Sequence, residues 1–293
     1  MGEYTFLSLE TAMVEGARYS ATMDLHSVDT YRRPKTLQEL GDWQPTWAWL
    51  AGGTWLFTEP QPQVQTLVDM QDLGWDELTV TPAGLTIGAT CPMQRLISDR
   101  FPEPWTAMQA LQRGVQELAS FKVQTLATVA GNLCLALPAG TFAPVMVLLD
   151  AEYELWTPAG AMRRVPAQQF QTGARQTILQ PGEVLRSMHI PAQSMAWTTS
   201  YHRFCSASAG LAIALVTAAY DPVAQRVRFC IGASVGRPYL VQAEGIPTIA
   251  QLADLLDAQI PASAYLDDTL ASAAYRRHLT QVLMARSLSD LPC

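Results

Sequence analysis

The sequence predicts an α+β fold, and three observations carry that prediction. Two pairs of alternating segments are each joined by Pro-Ala-Gly: Glu77–Thr81 with Leu85–Ala89, and Glu152–Trp156 with Ala161–Val165. Alternation on both sides of a turn sequence is the pattern of an antiparallel hairpin. Trp105, Met108, Leu111, Val115 and Leu118 recur at three- and four-residue spacing, so a helix over about 103–119 carries one apolar face. Strand candidates at about 197–205, 209–220 and 225–233 are followed by helices at about 248–257 and 266–287. Strands in runs, then helices in runs, exclude a doubly wound α/β sheet.

The remaining elements follow in order. Residues 1–22 read as an N-terminal extension. Pro34–Leu40 reads as a turn into a short helix, with Thr36 as N-cap and Glu39 completing a capping box. Trp47–Ala51 is a short apolar run stopped by Gly52-Gly53, the signature of a buried strand and a tight turn. Gln65–Met70 is a further strand and 92–99 a helix; Thr125–Asn132 reads as strand and turn, and 142–149 as an apolar helix. Glu183–Ile190 is a strand closed by Pro191, and a boundary falls near 192–198.

Composition narrows the function. The 293 residues are 49% hydrophobic, enough for a sizeable core and too apolar for general disorder. Only 15% are charged, against a usual ~25%, which suggests a surface partly covered by partners. A net charge of −7 argues against nucleic acid as a partner. No apolar run reaches the ~18 residues of a membrane span. The acidic start lacks a basic region before an apolar stretch, so a cytoplasmic location is expected. The five cysteines (Cys91, Cys134, Cys205, Cys230 and Cys293) are scattered with no C-x-x-C. They read as reduced thiols, not as a zinc or iron–sulfur ligand set. With four isolated histidines, no metal site is expected.

Two segments carry chemistry. Leu50-Ala51-Gly52-Gly53-Thr54-Trp55-Leu56 puts two glycines after a buried strand. Such a turn can aim several backbone N–H groups at one anion, and Thr54 adds a hydroxyl donor. The spacing is not G-x-G-x-x-G, which disfavours a Rossmann site. An ordinary tight turn fits the same residues. The second segment runs from Ala127 through Thr128, Gly131, Asn132, Cys134 and Leu135 to Thr141. Its single polar residues among small apolar ones suit a flat ligand in a mostly apolar slot. A core loop capped by Asn132 fits it equally.

In this order and spacing the two segments resemble the flavin-binding subunit or domain of molybdenum hydroxylases, the family of xanthine dehydrogenase and carbon monoxide dehydrogenase. Leu85–Thr90, Asp150-Ala151, Gly182–Leu185 and Tyr275–Leu279 extend the resemblance over about residues 24–287. It implies a two-subdomain FAD-binding fold of the vanillyl-alcohol-oxidase (PCMH) type over 23–195, with subdomains at about 23–80 and 81–195. A smaller α+β domain of antiparallel sheet and helices would follow over 196–293. The Gly-Gly turn would hold the FAD pyrophosphate through Leu50, Ala51, Gly52, Gly53, Thr54, Trp55 and Leu56. Thr128, Gly131, Asn132, Cys134, Leu135 and Thr141 would line the flavin and its ribityl chain. Val184 and Leu185 would form an apolar pair near the flavin or adenine.

Several positions depart from the family pattern. Trp55 stands where an acidic or amide residue is usual, Thr141 where an Asp is usual, and Ala130 where a first Gly is usual. Gln124-Thr125 replaces Arg-Asn, and Phe204–Gly210 lacks the usual charged set. Among the four clustered tryptophans (Trp43, Trp47, Trp49 and Trp55), only Trp55 is expected beside the cofactor. The implied role is electron relay. A chain with two [2Fe–2S] clusters would deliver electrons from a molybdenum-cofactor chain, and FAD would pass them to NAD⁺ or another acceptor. No catalytic acid or base is expected here. A FAD-less assembly subunit of the same fold and a stand-alone flavin oxidoreductase are the alternatives.

Overall fold

The structure, a computed structural model, describes residues 25–118, 120–207 and 210–292. The extension expected at 1–22 lies outside the described residues. The first sheet has three parallel strands in the order β1–β3–β2: β1 (Thr30–Arg32), β2 (Trp47–Leu50) and β3 (Thr66–Asp69). The central strand β3 is buried along its whole length, as a parallel strand covered on both faces must be. β1 escaped the sequence reading because three residues carry no period. The expected short helix is a 3₁₀ turn, Leu37–Leu40, with Thr36 at its N-cap, but the capping box does not form: Glu39 accepts the Lys35 N–H at 3.1 Å and the Thr36 hydroxyl at 3.4 Å.

The second sheet has five antiparallel strands in the order β4–β5–β10–β6–β7. The two expected hairpins are present as β4 (Leu78–Thr81) with β5 (Gly84–Gly88), and β6 (Glu152–Trp156) with β7 (Met162–Pro166). Strand β10 (Val184–Pro191) joins them through its centre, so the hairpins do not pair directly. A bulge at Arg186 shifts its register against β6. A small ribbon, β8 (Gln171–Gly173) and β9 (Gln176–Thr177), precedes it.

The helices beside these sheets are α1 (Arg95–Ser98), α2 (Met108–Gln116), α3 (Phe121–Gln124), α4 (Val129–Leu135) and α5 (Ala143–Leu148). Helix α4 corrects the strand expected over Thr125–Asn132. The β-branched Thr128 and Val129 suggest a strand, but the Thr128 hydroxyl caps a helix by accepting the Gly131 N–H at 2.9 Å. All six residues of α5 are buried. A helix that is apolar all round must lie between two layers, and α5 sits between the first core and the last sheet.

That last sheet is antiparallel, in the order β11–β12–β13–β14: β11 (Thr198–Phe204), β12 (Ala214–Asp221), β13 (Arg226–Gly232) and β14 (Tyr239–Gln242). Helices α6 (Leu252–Gln259) and α7 (Ala273–Asp290) cover it and enclose a second core. The sequence did not reveal β14, a four-residue edge strand just after Pro238. The buried Arg276 of α7 donates to the Ile213 and Ala233 carbonyls at 2.7 and 3.0 Å and to both Asp268 carboxylate oxygens.

Candidate functional site

Strand β2 ends at the buried Leu50, and the chain then turns through Gly52 and Gly53. A Cβ on Gly52 would stand 1.8 Å from the Leu126 carbonyl oxygen, so only glycine allows this approach. Gly53 has φ +68°, and a Cβ there would meet the Phe57 ring at 2.4 Å. Leu56–Thr58 forms a 3₁₀ turn before Pro60. The amides of Gly53, Thr54 and Trp55 make no hydrogen bond to protein among the described residues. Three successive unpaired amides at a cavity wall are the donor set that an anion nest needs.

The Gly52 contact brings the first motif against the residues that lead into the second. Within α4, Asn132 is a mid-helix residue and not the expected cap. Its Oδ1 accepts the Phe142 N–H at 3.4 Å, tying α4 to the entrance of α5. The helix ends on Ala136, in left-handed conformation with φ 49°. The Ala136 carbonyl accepts from both the Arg175 N–H (2.8 Å) and the Gln171 Nε2 (3.0 Å), which pins the β8–β9 ribbon to this helix end.

These elements enclose a cavity of about 730 Å³, within the usual ~300–1,000 Å³ of ligand sites. Leu50 through Leu56 line one side; Thr128, Gly131, Asn132, Cys134 and Leu135 line another, with Val184 and Leu185 beside them. Thr141 does not line it: the residue is buried and its hydroxyl has no partner. Trp49 was expected to be packing only, yet it lines the cavity together with Trp55. Its indole N–H donates to the Gly182 carbonyl at 3.2 Å, whereas the Trp55 indole N–H is buried and unpartnered.

Sequence reasoning missed the charged wall. Glu59 pairs with Arg175 at 2.7 Å, and Glu117 with Arg203 at 2.6 Å. Glu183 accepts from Arg163 Nε and Nη2 at 2.8 and 2.7 Å and from the Gln180 N–H at 2.8 Å. The Arg163 guanidinium holds the Glu183 carboxyl below its ordinary value, burial opposing. Arg203 and Gly210–Ala212 come from the last sheet and its loop, so that sheet completes the cavity. Only Gly182–Leu185 carried a signal, and it pointed to Val184 and Leu185 instead of Glu183.

Residues 24–193 match the family described as the FAD binding domain in molybdopterin dehydrogenase. The chain belongs to this family. Its cofactor is accordingly FAD. Over 186 residues it is 30% identical to the carbon monoxide dehydrogenase medium chain of Afipia carboxidovorans, covering 59% of this chain and 62% of that one. Over 182 residues it is 29% identical to the putative xanthine dehydrogenase FAD-binding subunit of Escherichia coli, covering 59% and 61%. Against aldehyde oxidase 2 of Cavia porcellus, identity is 31% over 127 residues, 41% of this chain and 9% of that protein. The chain thus spans less than two thirds of the length of these relatives. The fold is shared with quinoline 2-oxidoreductase of Pseudomonas putida 86, with TM-score 0.74 and 23% identity over 89% of this chain and 95% of that one. Carbon monoxide dehydrogenase of Hydrogenophaga pseudoflava gives a TM-score of 0.77, with 20% identity over 89% and 96%.

The cavity fits this cofactor on its own geometry. A glycine turn with free amides suits a diphosphate, an apolar slot suits the rings, and an orphaned indole N–H awaits an acceptor.

Proposed function

We propose that this chain is the FAD-binding electron-transfer subunit of a multi-subunit molybdenum hydroxylase. Electrons would arrive from [2Fe–2S] clusters of one partner chain, supplied by a molybdenum-cofactor chain, and leave through FAD to NAD⁺ or another acceptor in the cytoplasm. The observation that carries the reading is the meeting of two motif segments, far apart in sequence, on one cavity. The relatives named as medium chain and FAD-binding subunit support it. On this reading 23–195 is the FAD-binding domain of PCMH type, in subdomains at about 23–80 and 81–195, and 196–293 is the smaller domain.

FAD, when bound, supplies the chemistry of taking up and releasing electrons. The chain's own residues bind and orient. The amides of Gly53, Thr54 and Trp55 would hold the diphosphate. Leu50, Ala51, Gly52 and Leu56 fix the turn that aims them. Thr128, Gly131, Asn132, Cys134 and Leu135 would bound the ring and ribityl side, and Val184 with Leu185 would exclude water opposite them. Thr141, buried and outside the cavity lining, is given no contact to the cofactor here. No proton transfer is assigned to any residue here.

An absorption spectrum of the purified chain, with chromatography of flavin released by heat, tests the reading. The two visible bands of oxidised flavin and released FAD are expected. Gly53→Trp should abolish the colour while leaving the far-UV spectrum intact. A folded, colourless chain that takes up no added FAD would overturn the proposal.

A further inference from the structure

Arg175 lies outside both motifs, yet its side chain and the Gly-Gly turn face the same cavity. It occupies the turn of the β8–β9 ribbon with φ 57°, and its N–H is bonded to Ala136 at the end of α4. The backbone is therefore fixed while the half-exposed side chain can choose partners. Its guanidinium lies 5.9 Å from the Trp55 ring centroid and 2.7 Å from Glu59 Oε2. Trp55 directly follows Gly53-Thr54, and Arg175 and the free amides of the turn line the same cavity. The other cavity-lining guanidinium, Arg203, is already held by Glu117 through its Nε and by the Glu117 carbonyl through Nη1. Glu183 has Arg163. A phosphorylated ligand seated on the turn would bring negative charge next to Glu59, and among the described residues Arg175 is the cavity-lining cation that can serve both.

We infer that Arg175 is the charge partner of the cofactor's diphosphate, and that Glu59 competes for it. This rests on the FAD reading above and adds a residue and a sign to it. Cation and dianion attract more strongly than cation and a single half-exposed carboxylate, and the Trp55 face keeps the guanidinium in place during the exchange. The pair is thus a selector for phosphorylated flavins, and not a strap across the cavity. The two ideas give opposite signs for Glu59.

The test is fluorescence titration of the flavin-stripped full chain with FAD and with riboflavin, which lacks phosphate, over a series of salt concentrations. Arg175→Gln should weaken FAD about tenfold, the loss of one charged hydrogen-bonding partner, and flatten its salt dependence. Riboflavin binding should be unchanged, which a folding defect would not allow. Arg175→Lys should recover most of the loss, and Glu59→Gln should tighten FAD. Weaker FAD binding by Glu59→Gln, or equal losses for FAD and riboflavin, would overturn the inference. If the parent chain binds FAD and Arg175→Gln binds it equally, this inference alone falls. If the parent binds neither flavin, the FAD reading falls and takes this one with it.

Discussion

At the scale of single residues, two side chains at the cavity wall have measurable consequences. Thr128 spends its hydroxyl on the Gly131 N–H and is buried while doing so. Thr128→Ala removes that cap and should cost about 1 kcal/mol, read as a lower urea midpoint, with Thr128→Ser restoring it. Glu183 gives a pH signature. Its carboxyl is held below the ordinary value of 4.5 by Arg163, so the unfolded chain takes up the proton first. The stabilisation is complete above about pH 4.5 and is lost as pH falls through the lowered native value. Glu183→Gln should therefore melt earlier than the parent at neutral pH, and the gap should close on acidification. A gap independent of pH would show that the ion pair contributes nothing. Neither role was legible beforehand. The glycines announced themselves because few residues tolerate their geometry, whereas Glu59, Glu117, Arg175 and Arg203 look in sequence like any surface charge.

At the scale of elements, the readable parts were those whose period and punctuation agree. Both Pro-Ala-Gly hairpins appear where spacing places them, and α2 keeps Met108, Leu111 and Val115 of the expected stripe, while Trp105 and Leu118 lie beyond its ends. Order within the sheet was not legible. β10 inserts between the hairpins through pairings with strands about 30 and 100 residues away, and no local signal encodes such partners. Helix α4 failed for a different reason: threonine is both a strand former and a cap, and only the free Gly131 amide decides between them. Helix α7 carries its own test. Arg276 is buried on bonds to two carbonyls and a carboxylate. Arg276→Met would leave the buried Ile213 and Ala233 carbonyls without their donor, at about 1–3 kcal/mol each, while the exposed Asp268 regains water. Chemical denaturation should show a loss of that size.

At the scale of the whole molecule, α5 is the joint between the two cores. The Thr217 hydroxyl reaches the Pro144 carbonyl at 3.4 Å, and the Ala233 N–H reaches the Pro138 carbonyl at 2.7 Å. Arg228 on β13 pairs with Asp150, just beyond α5, and lies 5.0 Å from the Trp197 ring centroid. Gly232 matters for closeness, since a Cβ there would sit 2.4 Å from Pro144 Cγ. A proline ring cannot yield as a flexible chain would. Gly232→Val should cost about 1–3 kcal/mol by overpacking, and because the last sheet walls the cavity, flavin retention should fall with the melting temperature. The same joint has a consequence for biosynthesis. The turn that would grip the diphosphate is made before the rest of the wall, since Arg203 and Gly210–Ala212 emerge more than a hundred residues later. A nascent chain can therefore present the phosphate cradle long before it can enclose the rest of the ligand. Enclosure of the cofactor then has to wait until the last sheet has been synthesised.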